Sequence, residues 1–251
     1  MDMTLIKFGK NTYEVNLNRA FDLSIPPKRK EPVNAYDLPD PSYSVFSTEG
    51  FVGNVRQGGS CNCDELYLVP HGNGTHTECV GHISVESVWL DSCLKQYFFP
   101  AVLISVEPEE DEGLFKINRP LLESSLLGFS CSTEALIIRT LPNKEKKKSK
   151  RYAGSNPPFI TKAGMEFINE MQFRHILVDI PSVDEENDPE LSCHHIFWEY
   201  PKKPRRDKTI TELIFVPDEA EDGLYWLNLQ VPSLQTDAVP SRPVIFSAKL
   251  K

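Results

Sequence analysis

His71-Gly72-Asn73-Gly74-Thr75-His76-Thr77-Glu78-Cys79-Val80-Gly81-His82 gathers three of the chain's six histidines into twelve residues. If the chain is extended from Thr75 onward, side chains alternate, so His76, Glu78 and His82 share parity and project to one face. The Gly72-Asn73-Gly74 turn, free to take unusual backbone angles, would bring His71 back toward that face. Three imidazoles and a carboxylate on one spot are ligands for a borderline divalent metal such as Zn²⁺. With two oxygens, Glu78 could also bridge two ions. The competing reading is a polar loop with coincidental histidines. It fits poorly, because the other 239 residues carry only three more.

Around this segment the chain reads as strands with few helices. Upstream, Leu5–Phe8 and Tyr13–Leu17 predict a strand or hairpin. Residues 20–60 then form an irregular arm, in which Pro26, Pro27, Pro32, Pro39 and Pro41 exclude a regular helix. Glu65–Val69 reads as a strand ending at Pro70, just before the histidines. Downstream, Ala101–Val106, Ala135–Arg139, Ile176–Ile180 and Val244–Ala248 are strand-length apolar runs rich in β-branched residues. Gly223–Leu229 alternates like a half-buried strand, with Leu224, Trp226 and Asn228 on one side. Thr161–Met171 has helical spacing and a capping threonine, and a weaker helix is predicted over Val85–Tyr97. The expectation is one α/β domain over residues 1–251, α+β-like, with a mixed sheet and more sheet than helix. The basic stretches Lys144–Arg151 and Pro201–Lys208 read as solvated loops.

Composition narrows the function. The 251 residues include 27 Lys and Arg against 36 Asp and Glu, a net charge of −9. Phosphate backbones would repel such a chain, so nucleic acid is not an expected partner. No run approaches the 18 or so apolar residues of a membrane span, and the first residues lack a signal-peptide pattern. A cytoplasmic location is expected, with the six cysteines as free thiols. Cys61-Asn62-Cys63 lacks the spacing of a zinc ribbon. A cysteine hydrolase using Cys79 or Cys193 is chemically possible but leaves the histidines unexplained. Trp89, Trp198, Trp226 and Phe51 could stack on an aryl substrate, although large aromatics are more often core.

A second histidine cluster lies in Ser192-Cys193-His194-His195-Ile196-Phe197-Trp198. Adjacent histidines on a strand point to opposite faces, so at most one of His194 and His195 joins the site. Glu212, on the strand-like run Thr211–Val216, is the best additional carboxylate. His175 has no acidic or histidine neighbour in sequence and is expected to be structural.

The run Gly74-Thr-His-Thr-Glu78 with Gly81-His82, followed by Val178-Asp-Ile-Pro-Ser-Val-Asp184 and His194-His-Ile-Phe-Trp198, resembles the cyclase family of metal-dependent hydrolases. That family includes kynurenine formamidase and isatin hydrolase, and its hallmark is His-x-Gly-Thr-His-x-Asp-x-Pro-x-His. Weaker agreement extends from Phe21-Asp22-Leu23-Ser24 to Ala238-Val-Pro-Ser-Arg-Pro243. The resemblance implies a swivelling β/β/α domain, assembled as homodimers or homotetramers, acting on a small-molecule substrate. It also implies one or two divalent ions, Zn²⁺ or Mn²⁺. His71, His76 and Glu78 would bind the first, and Glu78, His194 and Glu212 the second, with Glu212 contacting both. His82 matches the position of the proton donor and acceptor. The implied reaction is hydrolysis of an amide, formamide or cyclic amide. A cyclase or dehydratase on the same site, or a non-catalytic metal-binding assembly module, is the alternative. The sequence departs from the hallmark in four places. Glu78 stands for aspartate, one residue is inserted between His71 and His76, the motif proline is missing, and Pro201–Lys208 widens the gap from His194 to Glu212.

Overall fold

The computed structural model describes residues 3–129 and 133–251. Thr4–Phe8 (β1) and Asn11–Asp22 (β2) form the expected hairpin, its second strand longer than Tyr13–Leu17. The proline-rich arm is irregular as far as Pro41. Beyond it, Ser42–Val45 (β3), Ser47–Thr48 (β4), Phe51–Val52 (β5) and Asp64–Tyr67 (β6) pair as two small ladders, β3 with β6 and β4 with β5. His76–Glu78 (β7) follows. The helix expected over Val85–Tyr97 shrinks to one turn, Leu90–Cys93 (α1). Its backbone is claimed from elsewhere: the Leu90 amide donates to the Thr236 carbonyl at 2.9 Å, and the Val85 amide to the Tyr200 hydroxyl at 3.2 Å.

The chain then runs through Phe98–Val106 (β8), Glu109–Asp111 (β9), Leu114–Ile117 (β10), Arg119–Ser125 (α2) and Ala135–Thr140 (β11). Phe159–Ile160 (β12) precedes Lys162–Glu170 (α3), the helix expected over Thr161–Met171. Thr161 caps it by accepting from the Gly164 amide. His175–Val178 (β13), Ser192–Phe197 (α4), Thr209–Glu212 (β14), Gly223–Asn228 (β15), Ala238–Pro240 (β16) and Val244–Leu250 (β17) complete the order.

Ten strands form one mixed sheet in the order β1-β2-β17-β15-β8-β11-β13-β14-β7-β16. Its centre, β8-β11-β13-β14, is parallel. Both outer parts are antiparallel. All residues of β11 and β13 are buried, as expected of parallel strands covered on both faces. Leu136, Ile137, Ile138, Ile176 and Leu177 are fully inaccessible, each worth about 1.5–3 kcal/mol of burial.

Gly223–Leu229 is not half-buried. Tyr225 and Leu227 enter the main core, while Trp226 joins Tyr13, Val15 and Ala248 in a separate cluster under the hairpin. The expected one-sided alternation fails because Phe8 and Tyr13 of the hairpin pack on the Trp226 ring. The basic stretches are also not simply solvated. Lys147 donates to the buried Asp179 at 2.7 Å. Lys208 is only 2% exposed and donates to the Asn169 side chain at 2.6 Å.

Candidate metal centre

The first histidine segment is fixed by backbone constraints at both ends. Gly74 takes φ +127°, and a Cβ there would stand 2.6 Å from the Ile25 carbonyl oxygen. Gly81 lies so close to Val88 that a Cβ would come within 2.0 Å of its carbonyl oxygen. Between them β7 pairs with β14 on one side and β16 on the other, placing His76 opposite Glu212 and Glu78 opposite Ala238. His76 and Glu78 do share a face. His82 reaches the same place by a different route: Val80–His82 is a 3-10 turn, so the extended parity argument stops at Glu78. His71 arrives from a second 3-10 turn, Pro70–Gly72.

His194 and His195 lie on helix α4 rather than on a strand. Successive helical side chains diverge by about 100°, so the outcome expected for a strand still holds: one histidine enters. His194 is buried and contacts Glu78, with Nε2 3.0 Å from Oε1. His195 turns away, its Nδ1 3.3 Å from the Tyr200 carbonyl. Backbone strain flanks the two distal groups. Leu191, just before α4, has φ +45°, and Leu213, just after Glu212, has φ +53°. A left-handed conformation costs an L-residue about 1–2 kcal/mol, and such strain concentrates at functional sites.

Glu78 is the hub. Its Oε2 lies 3.5 Å from His71 Nε2 and 3.8 Å from His82 Nδ1, while its Oε1 faces His194. His76 Nε2 stands 3.4 Å from Glu212 Oε2, and His194 Nε2 lies 3.8 Å from Glu212 Oε1. Two sets of donors each have their atoms within 4.8 Å of one another: His71, Glu78 and His82, and His76, Glu78 and Glu212. Thus His82, expected as a proton carrier, also stands within ligating reach. The cluster has a closed inner side and an open outer one. The side chains of His76, Glu78, His194 and Glu212 are at most 4% exposed, whereas His71, His82 and Asp237 are 25–28% exposed.

Two carboxylates that the sequence reading did not assign complete the centre. Asp184 holds His194 through a very short contact to Nδ1 and accepts from the His194 amide at 3.2 Å. Its place ten residues before His194 in Val178–Asp184 was the available signal. Asp237 Oδ2 lies 3.1 Å from His71 Nε2 and 3.4 Å from His82 Nδ1, bridging the two stacked rings. Only the pairing of β16 with β7 reveals it. Glu212 is oriented by the Val183 amide, which donates to Oε1 at 3.0 Å. Tyr36, from the irregular arm, donates its hydroxyl to the Pro181 carbonyl at 3.2 Å.

The electrostatics favour a cation. Burial alone would raise the pKa of Glu78, but the charges of His82, His194 and His71 outweigh it and hold it down to about 2. Burial works against a charged His194, yet Asp184 and Glu78 raise its pKa to about 10. Contacts with His71 and His82 hold the Asp237 carboxyl well below the usual carboxylate range. Buried His71 Nε2, His76 Nε2 and Glu78 Oε2 nevertheless make no aligned hydrogen bond. Two imidazole nitrogens and a carboxylate oxygen left without hydrogen bonds, amid further histidines and carboxylates, fit a divalent metal ion.

The other candidates lie elsewhere. His175 is buried at the start of β13, its Nδ1 2.8 Å from the Thr209 hydroxyl, as a structural histidine should be. The Cys79 thiol points to the Val88 carbonyl and the Cys193 thiol to the Ile160 carbonyl. Neither is a nucleophile beside a histidine base. The five described cysteines are free thiols, and Cys131 lies outside the described residues. Trp198 and Trp226 are core residues, Trp198 packing on the His194 ring with centres 5.4 Å apart, and Trp89 is 37% exposed. Among the described residues no helix is long and apolar enough to cross a membrane.

Comparison with known proteins agrees with this geometry. The family model described as putative cyclase matches residues 21–185, a span that carries His71, His76, Glu78, His82 and Asp184. The kynurenine formamidase of Bacillus mycoides is 31% identical over 221 residues, covering 86% of this chain and 94% of that protein. The Bacillus cytotoxicus kynurenine formamidase is 27% identical over 206 residues, covering 81% and 86%. Among solved structures, isatin hydrolase A from Labrenzia aggregata superposes with a TM-score of 0.67 at 15% identity, over 91% of this chain and 93% of that one. A predicted metal-dependent hydrolase from Bacillus stearothermophilus does so with a TM-score of 0.62 at 14% identity, over 91% and 98%. The structural likenesses show the same fold, and the family match together with the Bacillus mycoides relative establishes that the chain belongs to the cyclase family.

Proposed function

We propose that this protein is a metal-dependent hydrolase of a non-peptide C–N bond in a small molecule, acting on an amide, formamide or cyclic amide. The observation that carries the reading is Glu78, a fully buried carboxylate shared by histidines on both sides of a cluster that opens to solvent through His71, His82 and Asp237. The kynurenine formamidase relatives supply the bond type. A divalent cation held by these residues would supply the Lewis acidity that C–N hydrolysis needs, acting on the scissile carbonyl and on water.

The chain's own residues supply the rest. His71, His76, Glu78, His194 and Glu212 are the proposed ligands, for one or two ions of Zn²⁺ or Mn²⁺. Asp184 fixes the His194 tautomer so that Nε2 faces the site. His82 is the proposed proton carrier to the departing nitrogen, a reading supported by its half-open position beside Asp237. The closed inner wall shields the ligands, so substrate approaches from the His71–His82–Asp237 side. We also assign the protein to the cytoplasm, in keeping with its free thiols, and to a homodimer or homotetramer, as the family resemblance implies.

The test is elemental analysis of purified protein beside a panel of N-formyl, imide and lactam substrates. The expected result is bound Zn²⁺ or Mn²⁺ and hydrolysis of at least one substrate. About two equivalents of metal with no hydrolysis of any would overturn the reading in favour of a cyclase on the same site.

A further inference from the structure

Away from the metal centre, a cavity of about 780 Å³ opens at the ends of β11 and β13. None of the proposed metal ligands lines it. Five cations do so, Lys144, Lys146, Lys147, Lys150 and Arg151, against two carboxylates, Glu107 and Asp179. This concentration of positive charge belongs to a chain whose net charge is −9. Most of it is uncompensated. Asp179 is already used, accepting from Lys147, the Thr140 amide and the Thr140 hydroxyl. Arg151 is paired outward with Asp40. Among the described residues, Lys144, Lys146 and Lys150 form no ion pair. Lys150 instead rests over the Tyr152 ring, its ammonium 4.7 Å from the ring centre. Burial and the neighbouring Lys147 and Lys146 make that ammonium harder to keep charged.

The remaining wall is apolar. Phe115 and Leu141 are 38% and 40% exposed, beside Pro108 and Pro142. An exposed aromatic and aliphatic wall facing unpaired ammonium groups matches a ligand with a flat apolar body and a compact multiple negative charge. The volume falls within the range of small-molecule sites, about 300–1,000 Å³. A single carboxylate would leave most of the charge unbalanced, whereas phosphate groups suit lysines acting as point charges. We propose that this cavity binds a phosphorylated aromatic small molecule of the nucleotide class, at a site separate from the metal centre. The cavity also touches the support of that centre. Its wall residues Asp179 and Ile180 lead directly into Pro181–Asp184, the run that orients Glu212 and His194.

Calorimetric titration of the metal-loaded protein with ADP, inorganic pyrophosphate and adenosine tests this. ADP is expected to bind at one site per chain, with pyrophosphate at least about 10-fold weaker and adenosine undetectable. Raising NaCl from about 0.1 M to about 0.5 M is expected to weaken ADP several-fold. In Lys146→Glu/Lys150→Glu, ADP affinity falls at least about 10-fold while basal hydrolysis is unchanged. Lys146→Gln/Lys150→Gln provides a milder variant should the charge reversal misfold. Absence of ADP binding up to about 5 mM would overturn the proposal. So would affinity that survives both double substitutions, because that binding would sit at the metal centre. Pyrophosphate binding as tightly as ADP would overturn the apolar half of the ligand assignment.

Discussion

The two ends of the same parallel strands treat a buried histidine in opposite ways. At the start of β13, His175 sits beside Thr209 and packs on Phe99 with ring centres 4.0 Å apart. Burial and the charge of Arg174 depress its pKa to about 3. At the opposite end of β14, Glu212 helps form a cluster in which His194, equally buried, has its pKa raised to about 10 by Asp184 and Glu78. Burial is common to both; the carboxylates make the difference. One end of the sheet keeps a neutral imidazole as packing, and the other surrounds its histidines with carboxylates, whose charge either protons on the rings or a bound cation can balance. That second end is where open α/β sheets place their ligands.

Four substitutions or titrations probe this contrast, in falling order of effect. His82→Asn removes the proton carrier but leaves the buried ligands. Hydrolysis is expected to fall about 10²–10⁴-fold with metal content retained; loss of metal as well would reassign His82 as a ligand. Asp184→Asn takes away the charge that orients His194, and metal affinity should weaken by about 10–100-fold in a competition titration with a chelator. Metal loading at pH 7 should release protons. His194 is protonated in the metal-free protein, and ligation requires the neutral ring. Calorimetry in buffers of different ionisation enthalpy measures that release, and no release would deny the raised pKa.

The smallest effect belongs to the other end of the sheet. Because the folded pKa of His175 is depressed from the ordinary 6.5 to about 3, the unfolded chain takes up that proton first as pH falls. Stability is therefore lost between about pH 6.5 and 3. His175→Gln should flatten part of that acid loss in urea unfolding and leave metal content unchanged.

Much of this was legible in the sequence because it was local. The β-branched runs mark β8, β11, β13 and β17, Thr161 marks the start of α3, and the crowding of His71, His76, Glu78 and His82 marks the site. What was not legible depends on distant partners. No local rule ends the helix expected over Val85–Tyr97, whose Leu90 amide is taken by Thr236. The strand β15 reads as one-sided until the hairpin folds over Trp226. Asp237 carries no motif of its own and becomes part of the site only when β16 pairs with β7. Lys147 lies in a run that reads as solvent-exposed, but Asp179 draws it inward.

The central claim is that one histidine–carboxylate cluster both holds the metal and carries out hydrolysis. Metal content and hydrolytic rate, measured together on the wild-type protein and His76→Ala, test it most directly. His76 is fully buried opposite Glu212, so its loss removes a proposed ligand from the closed side of the cluster. The account predicts that both quantities collapse together. A metal-free His76→Ala protein that hydrolyses substrate at the wild-type rate would contradict it.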